Sequence, residues 1–181
     1  MIVRIARSLQ RRWRHRGYRR LAVEESRRNL AAASGQNVLV MCYGNIYRSP
    51  YIGQKLLTQL VDSAWRVRSA GFHDRVGRPC STSHVAMAAE FGVDLAQHRS
   101  ARIDQGLADW ADLIVIMDGF NRDALRAFSA TDAKVIWAGA FNTDAQADID
   151  DPYGRSPARI RQIVEQLDRS AETLAEALLE R

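Results

Sequence analysis

Residues 41–50 read Met41-Cys42-Tyr43-Gly44-Asn45-Ile46-Tyr47-Arg48-Ser49-Pro50, and what flanks them decides the fold. Before them lies Val38-Leu39-Val40, a short apolar run that predicts a buried strand. After them, Tyr51 to Leu60 has the pattern of a helix. Cys42 and Arg48 therefore stand at the two ends of a strand-to-helix turn. In such a turn, backbone N–H groups point inward at a bound anion, and the helix start adds positive potential. A thiol at the base of that nest is held as thiolate. An arginine at its rim grips the same anion through two parallel hydrogen bonds. The chemistry implied is attack by sulfur on phosphorus.

The turn residues suit that task. Gly44 is read as allowing close backbone approach, and Asn45 tolerates a left-handed backbone while its amide locks the loop. Ser49 and Pro50 have the types favoured at a helix N-cap and at the first helical position. Ser49 has a second role open to it, donating a hydrogen bond to the thiolate. A cysteine after an apolar strand is ordinarily a small core residue, so the spacing to Arg48 is what lifts Cys42 out of that class.

Outward from the turn, the spacing predicts strands at Asn37–Met41, Trp65–Ser69, Leu113–Met117 and Ala133–Trp137. Helices are predicted at Tyr51–Asp62, Ser83–Phe91, Gly119–Phe128 and Pro157–Leu179. The last has Ile160, Ile163, Val164, Leu167, Leu174 and Leu178 on one face. Strands alternating with helices imply an α/β fold in three layers, a parallel four-stranded sheet with helices on both faces. Ligands bind beyond the carboxyl ends of such strands, which is where Cys42 falls.

The chain of 181 residues carries a net charge of +5, unevenly spread. Residues 1–35 hold ten arginines and two glutamates, a net +8, which leaves −3 for residues 36–181. The division predicted is a basic, partly amphipathic N-terminal arm and linker over 1–35 and one domain over 36–181, so the high overall isoelectric point belongs to the arm. No nucleic-acid role is expected of the domain. Within the arm, Ile2, Ile5, Leu9 and Trp13 recur at helical spacing among arginines as far as Gly17. Such a segment suits an anionic membrane surface, with tryptophan at the interface. Nucleic acid or an acidic protein are alternative partners, and a solvated tail is the simplest reading of all. Two cysteines make no disulfide framework, and no apolar run is long enough to cross a bilayer. The expected location is the cytoplasm, peripheral at the inner membrane face if the arm binds lipid.

A second cluster, Asp150-Asp151-Pro152-Tyr153, lies far along the chain in a polar loop. Pro152 keeps Asp151 out of the helical conformation, on a stiff turn. A departing aryl oxygen needs a proton, and a positioned carboxylic acid supplies it. Asp-Pro is equally ordinary turn chemistry.

These motifs together resemble the low-molecular-weight protein tyrosine phosphatases. Cys42, Gly44, Asn45, Arg48, Ser49 and Pro50 match the family's signature. Ser69-Ala70-Gly71, His98, Met117-Asp118 with Asn121, and Asp151-Pro152-Tyr153 follow in family order. The resemblance covers residues 36–181 and is nearest to the bacterial branch associated with exopolysaccharide export. It implies the family's fold and a phosphocysteine intermediate on Cys42. The backbone of Tyr43, Gly44, Asn45, Ile46, Tyr47 and Arg48 would cradle the phosphoryl group. Asp151 would be general acid and then base, and Asn45, Ser49, Ser69 and His98 would support the loop. Phe72 and Tyr153 would line the substrate cleft. No metal or other cofactor is implied. The implied partner is a phosphotyrosine protein, such as a bacterial tyrosine kinase.

Two departures stand out. Many members carry a second cysteine where this chain has Tyr47, so protective disulfide formation there is lost. The segment Phe72-His73-Asp74-Arg75-Val76 differs from common versions. Arsenate reductase, on the same fold and loop, is one alternative, but its disulfide relay needs further cysteines and only Cys80 is present. A non-catalytic phosphotyrosine-binding module is the other, against which Cys42, Arg48 and Asp151 all stand.

Overall fold

A computed structural model of the chain describes residues 20–129, 131–142 and 147–181. The predicted amphipathic pattern at Ile2–Trp13 lies outside them. Four strands, β1 (Asn37–Cys42), β2 (Arg66–Gly71), β3 (Leu113–Ile116) and β4 (Val135–Trp137), form one sheet in the order β2-β1-β3-β4. Every pairing is parallel, with Val38 opposite both Val67 and Leu113, and Ile114 opposite Val135. The expected three-layer α/β architecture is therefore present.

Alternation along β1 builds two cores, because successive side chains leave a strand on opposite faces. Val38, Val40 and Cys42 enter one core with helices α2 (Arg48–Gln59) and α6 (Pro157–Leu179). Leu39 and Met41 enter the other, with Ala108 of α4 (Gln105–Trp110) and Leu125 of α5 (Gly119–Leu125). A short helix α3 (Thr82–Ala89) is capped by the Ser81 hydroxyl, which accepts from the His84 N–H. Across α2 and α6, the Tyr51 hydroxyl and Lys55 ammonium both donate to Asp168, at 2.8 and 2.7 Å. Burial, with the negative charge of Asp168, keeps the Tyr51 hydroxyl protonated.

Element ends shift in informative ways. Helix α2 starts at Arg48, three residues before the predicted Tyr51. Its N-cap is Tyr47, with no side-chain cap bond, so Ser49 does not serve as the cap and Pro50 is the third helical residue. Ser49 is taken instead by the Cys42 sulfur, described below.

Residues 20–32, assigned from sequence to the arm and linker, form a helix, α1, lying along β4. β4 is an edge strand, with backbone groups left unpaired by the sheet. The Ser26 hydroxyl donates to Ala22 O and accepts from Trp137 N–H at 3.0 Å. Asn29 donates to the carbonyls of Asp132 and Val135, at 3.1 and 2.9 Å. Glu25 accepts from Trp137 Nε1 and pairs with Arg122 at 2.7 Å. Ala22, Ser26 and Asn29 recur at helical spacing and are all buried. Small and polar types there look like an interrupted pattern in sequence, because what they cover is an edge of backbone and not a greasy face.

Candidate active site

Cys42, the last residue of β1, is 2% exposed, at the floor of the turn. Two donors reach its sulfur. The Asn45 backbone N–H lies 3.2 Å away and the Ser49 hydroxyl 3.0 Å away. The Ser49 proton has one good destination. Its oxygen already accepts from Asn45 Nδ2 at 2.9 Å, and its other acceptor, Ala70 O, is farther off at 3.4 Å. Both donors stabilise negative charge on sulfur.

Asn45 holds the loop in shape. Its φ of +50° makes it the one non-glycine residue with positive φ among those described. Every polar atom it owns is used. Nδ2 donates to Ser49 Oγ and, at 3.0 Å, to Ser69 Oγ, while Oδ1 accepts from Ala101 N–H at 2.8 Å. Its carbonyl accepts from His98 Nε2 at 2.8 Å. A carbonyl only accepts, so that imidazole nitrogen carries the proton. Burial lowers the His98 pKa, more than the bond to Asn45 raises it, which keeps the ring neutral. Ser69 and His98 thus both meet Asn45.

A glycine beside the turn fits tightly against the turn's backbone. A Cβ on Gly44 would meet protein no nearer than 3.4 Å. On Gly71 it would lie 2.7 Å from Tyr43 O and 2.9 Å from Asn45 N. Gly71 ends β2 beside Cys42, and only a bare Cα there lets the loop settle onto the sheet.

Arg48 is 2% exposed, and three acceptors hold it. Nη1 donates to Asp118 Oδ2 at 2.6 Å and to Ile149 O at 2.9 Å, and Nη2 donates to Asp151 Oδ2 at 2.6 Å. Burial pulls its pKa down, but the negative groups Cys42, Asp118 and Asp151 more than offset this, so it is raised and the charge is secure. Asp118 is the principal residue that motif reading left without a role. It caps α5 by accepting from Asn121 N–H at 2.9 Å, and its other oxygen orients Arg48. A carboxylate directly after an apolar strand was the available signal.

The loop bearing Asp151 is fastened on both sides. Asp151 Oδ1 accepts from Tyr153 N–H at 3.0 Å, a turn closed by its own side chain, and Gly154 follows with φ +69°. Oδ2 faces Arg48, with the side chain 42% exposed, so the carboxyl can also be reached from solvent.

Around the mouth, Tyr43 and Tyr153 are 58% and 77% exposed. Phe72 is half-buried and packs on the core shared by Leu39 and Met41. Tyr47 leans edge-on against His84, with ring centroids 4.9 Å apart, and its carbonyl meets His84 Nε2 at 3.0 Å. Arg78 donates to Gly44 O at 2.7 Å. His84 and Arg78 thus brace the nest from behind. Neither is legible from spacing, since Arg78 comes from the loop between β2 and α3 and His84 from the first turn of α3.

A strand-to-helix anion nest holding cysteine, arginine and a remote aspartate defines a phosphate-transfer class of protein. The family model described as "Low molecular weight phosphotyrosine protein phosphatase" matches residues 37–181, and the chain belongs to that family. A probable low molecular weight protein-tyrosine-phosphatase, EpsP, from Ralstonia nicotianae is 33% identical over 138 residues, covering 76% of this chain and 92% of that protein. Wzb, a low molecular weight protein-tyrosine-phosphatase of Escherichia coli K12, is 33% identical over 143 residues, covering 78% and 95%. Among solved structures, Vibrio vulnificus Wzb in complex with benzylphosphonate superimposes with a TM-score of 0.70 at 28% identity, covering 78% of this chain and 97% of that one. No described helix is long and apolar enough to cross a membrane.

Proposed function

We propose that the chain hydrolyses phosphotyrosine in proteins through a phosphocysteine intermediate. The observation that carries this is the convergence of the Asn45 N–H and the Ser49 hydroxyl on Cys42 Sγ, with Arg48 bridging to Asp151. The phosphoryl dianion is held by the backbone N–H groups of residues 43–48 and by the Arg48 guanidinium. Cys42 sulfur forms the bond to phosphorus as the bond to the tyrosine oxygen breaks. Protonated Asp151 gives its proton to that oxygen, and tyrosine leaves neutral. Water then attacks phosphorus and returns a proton to Asp151, and sulfur departs as thiolate. Asp118 and the Ile149 carbonyl keep Nη1 occupied, so Nη2 is the nitrogen exchanged between Asp151 and the substrate.

The substrates we assign are tyrosine-phosphorylated proteins of an exopolysaccharide system, foremost a bacterial tyrosine kinase, met in the cytoplasm. The arsenate reductase alternative is disfavoured because its disulfide relay needs further cysteines and the chain offers only Cys80 beside Cys42. Residues 1–19, with seven arginines and no acidic residue, are assigned to an anionic membrane surface, with Ile2, Ile5, Leu9 and Trp13 as the apolar side.

The mechanism is tested with a leaving-group series of aryl phosphates in the presence of chelator. Activity is expected without added metal. Asp151→Asn should lower kcat by about 10²- to 10⁴-fold for poor leaving groups and much less for good ones. A uniform loss across the series would remove Asp151 from the proton-donor role.

A further inference from the structure

The direction of α1 determines where residues 1–19 leave the domain. Ser26 meets Trp137 and Asn29 meets Val135, so α1 runs antiparallel to β4. Its other end is joined to Asn37, the first residue of β1, by residues 33–36 alone. The start of α1 therefore lies at the carboxyl ends of the strands, where Cys42, Asp118 and Asp151 are. Arg20 stands six residues before Ser26, about 9 Å farther in that direction at helical rise. Only residues 17–19 separate α1 from the amphipathic stretch that ends near Gly17, a reach of at most about 11 Å.

The same end of the sheet carries exposed aromatic side chains. Tyr43 follows β1 at 58% exposure, Phe120 follows Asp118 at 72%, and Tyr153 follows Asp151 at 77%. Aromatic rings around a mouth suit the headgroup level of a bilayer, where an apolar body meets a wet rim. The opposite end of the sheet is closed by the chain's last residues. Trp65 Nε1 donates to Leu178 O at 3.1 Å, and Arg181 donates to Gly35 O at 3.4 Å.

We infer that α1 aims the catalytic mouth at the membrane: residues 1–19 bound to an anionic bilayer hold the Cys42 end of the sheet toward the lipid. The enzyme then acts preferentially on phosphotyrosines displayed close to that surface. This rests on the membrane reading of residues 1–19. Here α1 is both edge cover for β4 and a bracket of fixed direction. The partner is a surface of anionic phospholipid headgroups, since a stripe of isoleucine, leucine and tryptophan beside arginines suits a bilayer better than an acidic peptide.

The test compares the full chain with a rearranged chain in which residues 1–19 are moved to follow Arg181, at the opposite end of the sheet. Both are mixed with phosphatidylcholine vesicles containing phosphatidylserine. A tyrosine-phosphorylated peptide is anchored in the vesicles by a short lipid spacer or left free in solution. Both proteins should co-sediment with the vesicles and hydrolyse p-nitrophenyl phosphate alike. The native order should cleave anchored peptide about tenfold faster than the rearranged chain, with no difference on free peptide. Equal rates on anchored peptide, with both proteins bound, would overturn the orientation and leave membrane binding intact. Failure of both to bind vesicles would overturn the membrane reading itself. So would a vesicle-independent preference of the native chain for acidic peptides, which would make the partner a protein.

Discussion

Cys42 and Cys80 are the chain's two cysteines, both free and both buried, at 2% and 6% exposure. They line the same core. What separates them is the supply of donors. Cys42 ends a strand at a turn whose backbone folds back over it, bringing the Asn45 N–H and Ser49 hydroxyl to its sulfur. Cys80 sits in the loop before α3, and no hydrogen-bond donor among the described residues reaches it. Burial, with a further push from negative charge on Cys42, drives its pKa up to about 11. Burial alone makes a thiol inert, whereas burial among aimed donors makes a nucleophile. The lesson extends to the loop: its polarity comes from where backbone groups point, which residue type does not report.

The comparison breaks most visibly at Cys42. Cys42→Ser should lower hydrolysis of p-nitrophenyl phosphate by roughly 10⁴-fold or more. A variant that keeps ordinary rates would place the chemistry elsewhere. Next comes the donor at 3.0 Å. Ser49→Ala leaves Cys42 in place but removes the hydroxyl, and kcat should fall by about 10²-fold, as for loss of one preorganised donor. Threonine at 49 should restore part of the rate, which a purely packing role for Ser49 does not predict.

Alkylation sharpens the contrast without mutation. Iodoacetamide at neutral pH should modify Cys42 and leave Cys80 untouched in the folded protein, as peptide mass mapping would read. Inorganic phosphate should protect Cys42. Modification of Cys80 at a similar rate would erase the distinction.

The smallest effect is Cys80→Ala, for which activity should stay within about twofold and stability fall by about 1 kcal/mol. Its signature is in alkali. The folded-state pKa of Cys80 is raised to about 11 from an ordinary 9.0. Below pH 9 both folded and unfolded chains keep the proton, and the stabilising contribution is whole. Between about 9 and 11 the unfolded chain gives it up while the folded chain does not, so stability falls as pH rises. Urea melts over that range should show the slope in the parent and a shallower one in Cys80→Ala.

Much of the molecule was readable in advance because its signals are local. Val38 to Cys42 alternates between two cores, and the four strand positions and the span of α6 follow from runs and spacing. Where reading faltered, competing demands on one residue were the cause. Ser49 has the type of a helix cap, yet the sulfur takes its hydroxyl and the helix starts at Arg48, two residues before the start that such a cap would set, with no side-chain cap. Gly71 has no distinguishing type in the sequence, yet the close contact with the turn falls on it, brought over by strand pairing. Tyr47 finds its place against His84, a residue 37 positions away.

By itself, then, the sequence determined the three-layer α/β class, the turn from Cys42 to Arg48 and the remote Asp151, since each rests on side-chain type at short range or in fixed order. Only the tertiary structure decided that Asp118 orients Arg48, that Gly71 makes room for the nest, and that residues 20–32 belong to the edge of β4. Those facts depend on which backbone groups are left unpaired when the sheet closes. Unpaired groups are a property of the assembled fold, and a buried one without a partner costs about 1–3 kcal/mol, enough to recruit whatever side chain the topology brings within reach.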